Sequence, residues 1–417
     1  GYDMNRDYVK LESQEIHAYV TQVMTEWTPD VHVDGHHGGS DPYVITYQGT
    51  LNPSADAALR AWPYDNIFPR IREAAEAEDY RAFDYSGVRT EDGRQGWGST
   101  SVEPRKHHVY TGLTNTIGIL LETPRNSRRV LQNGTVVEIP EEERYYHQIR
   151  GGVIALSTIL EVAAEKREEI RNLTTASRMR AINAGHEGAG EVVLDYEVSN
   201  RGDEPVWMPD WNAELGYSLQ TVPVWLRWIP TRTTKRPVGY LMPPAMAAVV
   251  PILIDHDIAV YRFTGSSSID AEVYYATDVQ TESYFQGHYL KAVEVERESE
   301  TVEVQEGWFW IPTAQSMGNL ITYLMEPETD DNLITWGWTD HILEETPESE
   351  EALLEAMLGG RTMSELATDQ QQRIRERATS ILSRRQQVPM MRVLSHQRIS
   401  VMRVQPFNQY QRNRFFR

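Results

Sequence analysis

The sequence predicts an α/β protein: a mixed sheet flanked by helices, followed by a β-rich domain and a helical, basic C-terminal tail. Three observations carry that prediction. Over roughly the first 180 residues, short apolar or alternating runs are interleaved with segments of helical period. After about residue 185 the texture changes to β-type runs separated by Gly, Ser and Pro. From Glu345 the chain is helical and charge-rich, and Ala378–Arg417 carries eight arginines and no acidic residue. The expected domains are therefore 1–184, 185–344 and 345–417.

Each element has a local reason. Residues 1–10 are polar and loop-like. From Leu11 to Trp27, Ile16, Val20, Val23 and Trp27 recur at helical spacing, and Thr28-Pro29 ends the helix. Val31-His-Val-Asp34 alternates apolar with polar and breaks into Gly35, two histidines and Gly38-Gly39, a strand that delivers a His-bearing loop. Residues 50–80 read as helical around Pro53, Pro63 and Pro69. From Asp84 to His108 no period is visible, and a long functional loop or lid is expected. Thr114–Thr123 is an almost continuous apolar run, as for a strand buried on both faces, and Glu122 stands at its exit. A long helix from Tyr146 to Leu173 places Ile149, Val153, Leu156, Leu160 and Ala163 on one stripe, expected to pack across the sheet.

Gly185-His-Glu-Gly-Ala-Gly190 reads as a linker. A strand over Glu191–Asn200 and a turn at Asn200–Asp203 follow, then strands at 259–263, 271–275, 301–305 and 308–311. Residues 240–258, with three prolines, look like a short α/β return. Residues 345–383 read as a solvated helical arm. The basic tail is expected either to be disordered or to dock on an acidic surface, the most available being that of the protein itself. No period of 20–50 residues indicates repeats.

Composition limits the function classes. The 417 residues hold 40 Lys+Arg against 61 Asp+Glu, a net charge of −21, which argues against nucleic acid or an anionic membrane as the main partner. No apolar run approaches the ~20 residues that span a bilayer. The absence of cysteine excludes disulfides and thiolate metal sites, so any metal rests on His, Asp and Glu. A periplasmic or secreted location is the expectation, with the cytoplasm left open. The chain starts at Gly1 with neither an initiator Met nor a signal-like segment, and an upstream segment, lost by processing, by cleavage or from the record, is expected.

Three places can carry chemistry. Asn5-Arg6 offers an amide beside a planar guanidinium fork, suited to capturing a carboxylate. His36, with Asp34 two residues before it, suits a metal ligand oriented by a carboxylate. Glu122, a carboxylate at the end of a buried strand, suits a general base. Taken singly, each has a plainer reading: a surface Arg, a turn His, and a Glu paired with Arg125 or Arg128.

Taken together, these stretches resemble the zinc carboxypeptidases of the carboxypeptidase A superfamily. Asp3-x-Asn5-Arg6 is similar to that family's Asp-x-Asn-Arg motif. Val33-Asp-Gly-His36, with Gly38-Gly39 and Tyr47–Pro53, is similar to its zinc-His segment. Tyr110–Glu122 is similar to the segment ending in its catalytic Glu. Arg236-Pro-x-Gly-Tyr240, Gln315 and Leu324-Met-Glu-Pro-Glu-x-Asp-Asp331 resemble the β-rich extension of a bacterial branch. The likeness covers residues 1 to about 340.

The resemblance implies removal of C-terminal residues from peptides. Zn²⁺ would be held by His36 and two ligands outside this chain, Glu122 would act as base, and Asn5 and Arg6 would anchor the substrate carboxylate. Tyr110, or else Tyr85, would be the substrate tyrosine. The chain departs from the family in lacking a His-x-x-Glu motif ahead of Asp3, so an N-terminal fragment or another subunit is an expected partner. Its one His-x-x-Glu, His341–Glu344, reads as a helix cap. His37, His107 and His108 read as solvated loop histidines in preference to replacement ligands. Two alternatives stay open: a deacylase of N-acyl amino acids on the same fold, and a metal-free pseudoenzyme that binds partners.

Overall fold

The computed structural model describes residues 2–39, 41–99, 102–344, 346–347, 349–382 and 385–403. The protein is a mixed α/β chain of two compact units. One contains Gly1–Arg236 with Ile252–Ile258 and Pro312–Tyr323; the other contains Pro237–Pro251, Ala259–Ile311 and Leu324–Arg417. These units cut the chain elsewhere than at the boundaries 184/185 and 344/345 expected from composition.

The first unit is built on a four-stranded mixed sheet. Its strands are β1 (Val31–His36), β2 (Ile45–Gly49), β3 (Ala82–Asp84) and, after the hairpin β4 (Gly87–Glu91) and β5 (Arg94–Gly98), β6 (Ile117–Glu122). The order is β1-β6-β2-β3, with β1 parallel and β2 antiparallel to β6. Alternation divides the side chains by face. Val31, Val33, Ile45, Tyr47, Ile117, Ile119 and Leu121 enter one core with Leu59, Trp62, Phe68, Ile71, Ile154, Ala155 and Ile159. The last seven come from the helices Ala57–Asn66, Phe68–Glu76 and Arg144–Glu165. All six residues of β6 are buried; each large apolar one contributes about 1.5–3 kcal/mol.

The opposite face of the sheet carries His32, Asp34, His36, Gln48 and Glu122 and is covered by the wholly buried helix His107–Leu113. That helix lies against β6 because Gly118 has no side chain: a Cβ there would come within 2.1 Å of Thr111 Oγ1 and 2.4 Å of the His108 carbonyl.

Several elements differ from expectation. Residues 84–108 are not one lid, because β4 and β5 pair across Asp92 and Gly93, both at positive φ, as a two-residue hairpin turn. The helical segment before β1 is interrupted by a π turn at Val20–Met24. Beyond the short antiparallel pair β7 (Arg128–Val130) and β8 (Val136–Glu138), the expected turn at Asn200–Asp203 is an irregularity inside β9 (Glu191–Pro209). That strand runs on against β10 (Tyr217–Lys235), with Asn200 Oδ1 accepting from Gly202 N and Val224 N.

The helix Arg144–Glu165 packs with the other side inward. Gly151 and Ala155 allow it close to the sheet, and a Cβ on Gly151 would lie 2.9 Å from Val44. Ile149, Val153, Leu156 and Leu160 are 64, 45, 44 and 69% exposed.

The second unit holds a sheet of β11 (Gly239–Met242), β12 (Tyr261–Phe263), the long hairpin β13 (Ser267–Phe285) and β14 (His288–Val304), β15 (Phe309–Pro312), and the short β16 (Gln386–Gln387), β17 (Met391–Val393) and β18 (Val401–Arg403). Part of the tail expected to be helical is thus strand. The expected helical arm is present as Glu350–Leu358 and Thr368–Leu382. Arg385 pairs with Glu296 and Glu298, and buried Arg392 with Glu272 and Glu326, so this stretch docks on the protein's own acids. Residues 404–417 of the basic tail lie outside the described residues.

Candidate functional site

Parallel pairing of β1 with β6 sets His36 opposite Glu122, so both side chains emerge where the two strands end. This is the edge of an α/β sheet at which ligand groups collect. Glu122 is only 6% exposed and accepts a hydrogen bond from the Gly38 amide. The missing side chain at Gly38 leaves room for that approach, since a Cβ would stand 2.8 Å from Glu122 Oε2. Burial raises the Glu122 pKa, against the opposing influence of His36 and the Gly38 amide.

Asp34 ties the cluster together. Its Oδ1 lies 2.8 Å from His36 Nε2 and 3.4 Å from His107 Nδ1, and its Oδ2 accepts from Asn5 Nδ2 at 3.1 Å. Burial alone would raise the Asp34 pKa; the imidazoles of His107 and His36 outweigh it and hold the group well below the usual carboxylate range. The same contact raises His36. Nε2 is thus the nitrogen engaged within the protein, by Asp34 and, at 3.0 Å, by Asn5 Nδ2.

Asn5 and Arg6 sit on a 3-10 turn capped by Asp3, whose Oδ1 accepts from Asn5 N at 2.9 Å. The Asn5 amide is used within the protein: Nδ2 reaches Asp34, and Oδ1 accepts from the His107 amide at 2.8 Å. It ties the turn to the cluster, while the Arg6 guanidinium lines the adjoining cleft. Arg6 Nη1 donates to the Asn5 carbonyl and lies 3.7 Å from Asp3.

Arg6, Asn5, His36 and Glu122 share one cleft of about 450 Å³ with Asp3, Gln48, Tyr85, Lys106 and His108. Tyr110 is not among its walls. It is buried on the helix His107–Leu113, and its hydroxyl bonds His256 Nδ1 at 2.8 Å. Tyr85, the other tyrosine weighed from sequence, lines the cleft instead.

The histidines also sort differently from expectation. His37 is exposed as expected, whereas His107 and His108 are each 3% exposed on a core helix. Burial lowers His108 to about 3 and, with neighbouring His107, His32 to about 4, so both rings are neutral at physiological pH. His341 Nε2 meets the Ala245 carbonyl in the second unit.

Gln48 and Lys106 went unnoticed in the sequence. Gln48 was legible, since alternation along Ile45–Gly49 sends Thr46 and Gln48 away from the core that takes Ile45 and Tyr47. Lys106 carries no such signal; it stands just before the buried helix and pairs with Glu103 at 3.1 Å.

No family model, no curated protein and no solved structure matches this chain. Its site has to be read from its own chemistry.

A zinc site takes three or four protein donors. Among the described residues no three His, Asp or Glu side chains are grouped so as to hold a metal ion. The donor set present therefore does not fit a zinc ion by itself. His36, with Nε2 fixed by a carboxylate, has the form of a single ligand.

Proposed function

We propose that this chain carries the carboxylate-recognition and proton-transfer parts of a hydrolase of the zinc-carboxypeptidase type, acting on the C-terminal residue of peptides. One observation carries the reading: His36 and Glu122, in register on adjacent parallel strands, share a single cleft with Arg6. Arg6 would hold the free carboxylate of the substrate through its planar fork. Asn5 and Asp34 would keep that wall and His36 in place. Glu122 would take a proton from the attacking water and pass it to the leaving amine. Its raised pKa suits both transfers, since it is closer to neutrality than that of a solvated Glu. Completing a zinc site around His36 would take donors from outside the described residues.

Two measurements test this. In a peptidase assay across peptides of differing C-terminal residue, Glu122→Gln should lower turnover by about 10²- to 10⁴-fold, the range of a general base; unchanged turnover sinks the proposal. In direct titration, a peptide with a free C-terminus should bind more tightly than its C-terminal amide, and Arg6→Ala should abolish the difference.

A second reading is a metal-free groove that binds carboxylate-ended ligands without cleaving them; what favours it is that, among the described residues, no three His, Asp or Glu side chains are grouped so as to hold a metal ion. It predicts the same binding preference with no turnover and no zinc in the purified chain.

A further inference from the structure

Ligand pockets are usually lined mainly by apolar and aromatic side chains. The cleft that holds Arg6, His36 and Glu122 is not: among the described residues, the one aliphatic side chain in its wall is Leu120. Its deeply buried wall residues include Gln48, His108 and Ser99, at 2, 3 and 5% exposure. Gln48 Nε2 lies 3.2 Å from His108 Nε2 and donates to it. The neutral His108 ring therefore carries its proton on Nδ1, a buried atom without a partner among the described residues. Ser86 Oγ, in the same wall, is buried and unpartnered too. Buried polar atoms left so are rare, and an apolar ligand side chain would desolvate this wall further while returning no hydrogen bond. A ligand group bearing acceptor oxygens fits it.

Charge sharpens the choice. Lys106 lines the cleft as a second cation beside Arg6, its side chain 15% exposed, and Glu103 takes one of its N–H donors at 3.1 Å. Burial, with repulsion from Arg6 and Arg105, lowers the Lys106 pKa in spite of Glu103. The ammonium is thus short of compensating charge, and it stands near enough to Arg6 for the two cations to repel. A ligand with two negative groups relieves both at once. We propose that Lys106 selects peptides ending in an acidic residue, glutamate or aspartate: its ammonium meets the side-chain carboxylate while Arg6 holds the α-carboxylate. This assignment rests on the carboxypeptidase-type reading above. The acids of the cleft do not cancel it, since Asp3 lies 3.7 Å from Arg6 and Glu122 accepts from the Gly38 amide. A basic C-terminal side chain would meet Lys106 with a like charge.

Calorimetric titration of the full chain reads this directly, with peptides identical except for a C-terminal Glu, Gln, Leu or Lys, each prepared as free acid and as C-terminal amide. The free-acid Glu peptide should bind at least about tenfold more tightly than the Gln peptide, its uncharged isostere, and than the Leu and Lys peptides. Lys106→Met, which keeps the stem and loses the charge, should erase the Glu-over-Gln difference, and Lys106→Arg should retain it. Equal wild-type affinities for the Glu and Gln peptides overturn the inference, as does a Leu or Lys peptide bound as tightly as the Glu one. So does a Lys106→Met chain of unchanged circular dichroism that still prefers Glu. Those failures leave the carboxypeptidase-type reading standing as long as free acids bind better than amides. Loss of that preference, or no binding of any free acid, defeats the reading itself and this inference with it.

Discussion

Asp34 and Glu122 illustrate opposite treatments of a buried carboxylate. Asp34 is surrounded by His36, His107 and Asn5, and its folded pKa falls below its unfolded one. Its stabilisation is therefore present above the unfolded value and lost as pH falls through the folded one. Glu122 has one amide donor and a raised pKa, so at neutral pH its charge is carried at a cost to the fold. That cost is absent well below the ordinary carboxylate range, where the unfolded carboxyl is itself protonated; it accrues as pH rises from the unfolded value towards the folded one and is complete above the folded value. Glu122→Gln should accordingly melt at nearly the same temperature as the wild type near pH 4 and at a higher one at pH 8. A variant markedly less stable at pH 8 would mean that the carboxylate is structural. The Asn5 amide shows the limit of motif reading at this scale: its residue type fits ligand capture, but its bonds are already committed to Asp34 and the His107 backbone.

The pairing of β1 with β6 is what turns two distant sequence positions into a site. A slip of one residue would reverse the facing of His36 relative to Glu122 and send Val31 and Val33 out of the core. Gly118 keeps the covering helix at the distance that lets His107 reach Asp34. Gly118→Ala should destabilise the first unit by about 1–3 kcal/mol, the usual cost of overpacking, since one of the atoms it strikes is backbone and cannot rotate away. Chemical denaturation measures this, and no loss would mean that the helix can shift freely. Both strands were legible in the sequence, through alternation at Val31–Asp34 and continuous apolarity at Ile117–Leu121. The β4–β5 hairpin was legible in principle from Asp92-Gly93, the dipeptide that favours a tight turn. The inward side of the helix Arg144–Glu165 was not, because its strongest apolar stripe faces outward and the packed side includes Gly151 and Thr158. A periodicity argument follows the larger residues, whereas close packing here selected the smaller ones.

For the molecule as a whole, the alternation of α/β with β-rich texture was readable, but the division into units was not. Short segments such as 252–258 and 312–323 belong with the first unit by contacts that composition does not record. The second unit adds a buried charge network to its apolar core of Val238, Leu241, Phe263, Ile269, Val273 and Val393. Tyr240 and Tyr274 donate to Glu326, which is fully buried, and Arg392, 1% exposed, lies 3.1 Å from the same carboxylate and 2.8 Å from Glu272. Burial raises the Glu326 pKa, while Arg392 and the two hydroxyls oppose it. Arg392→Met should destabilise the second unit by about 3–5 kcal/mol, because it strands a buried acid. Limited proteolysis should then cut first within residues 385–403, and an unchanged cleavage pattern would mean that the network is dispensable. The strand carrying Arg392 lies inside the sheet, between β13 and β11, yet it follows β15 by more than seventy residues in the chain. On a ribosome, the earlier strands would emerge with a central place unfilled and Glu326 without its guanidinium. This sheet can close only after residue 393 has been made, so until then the nascent second unit presents an open strand edge for a chaperone to shield.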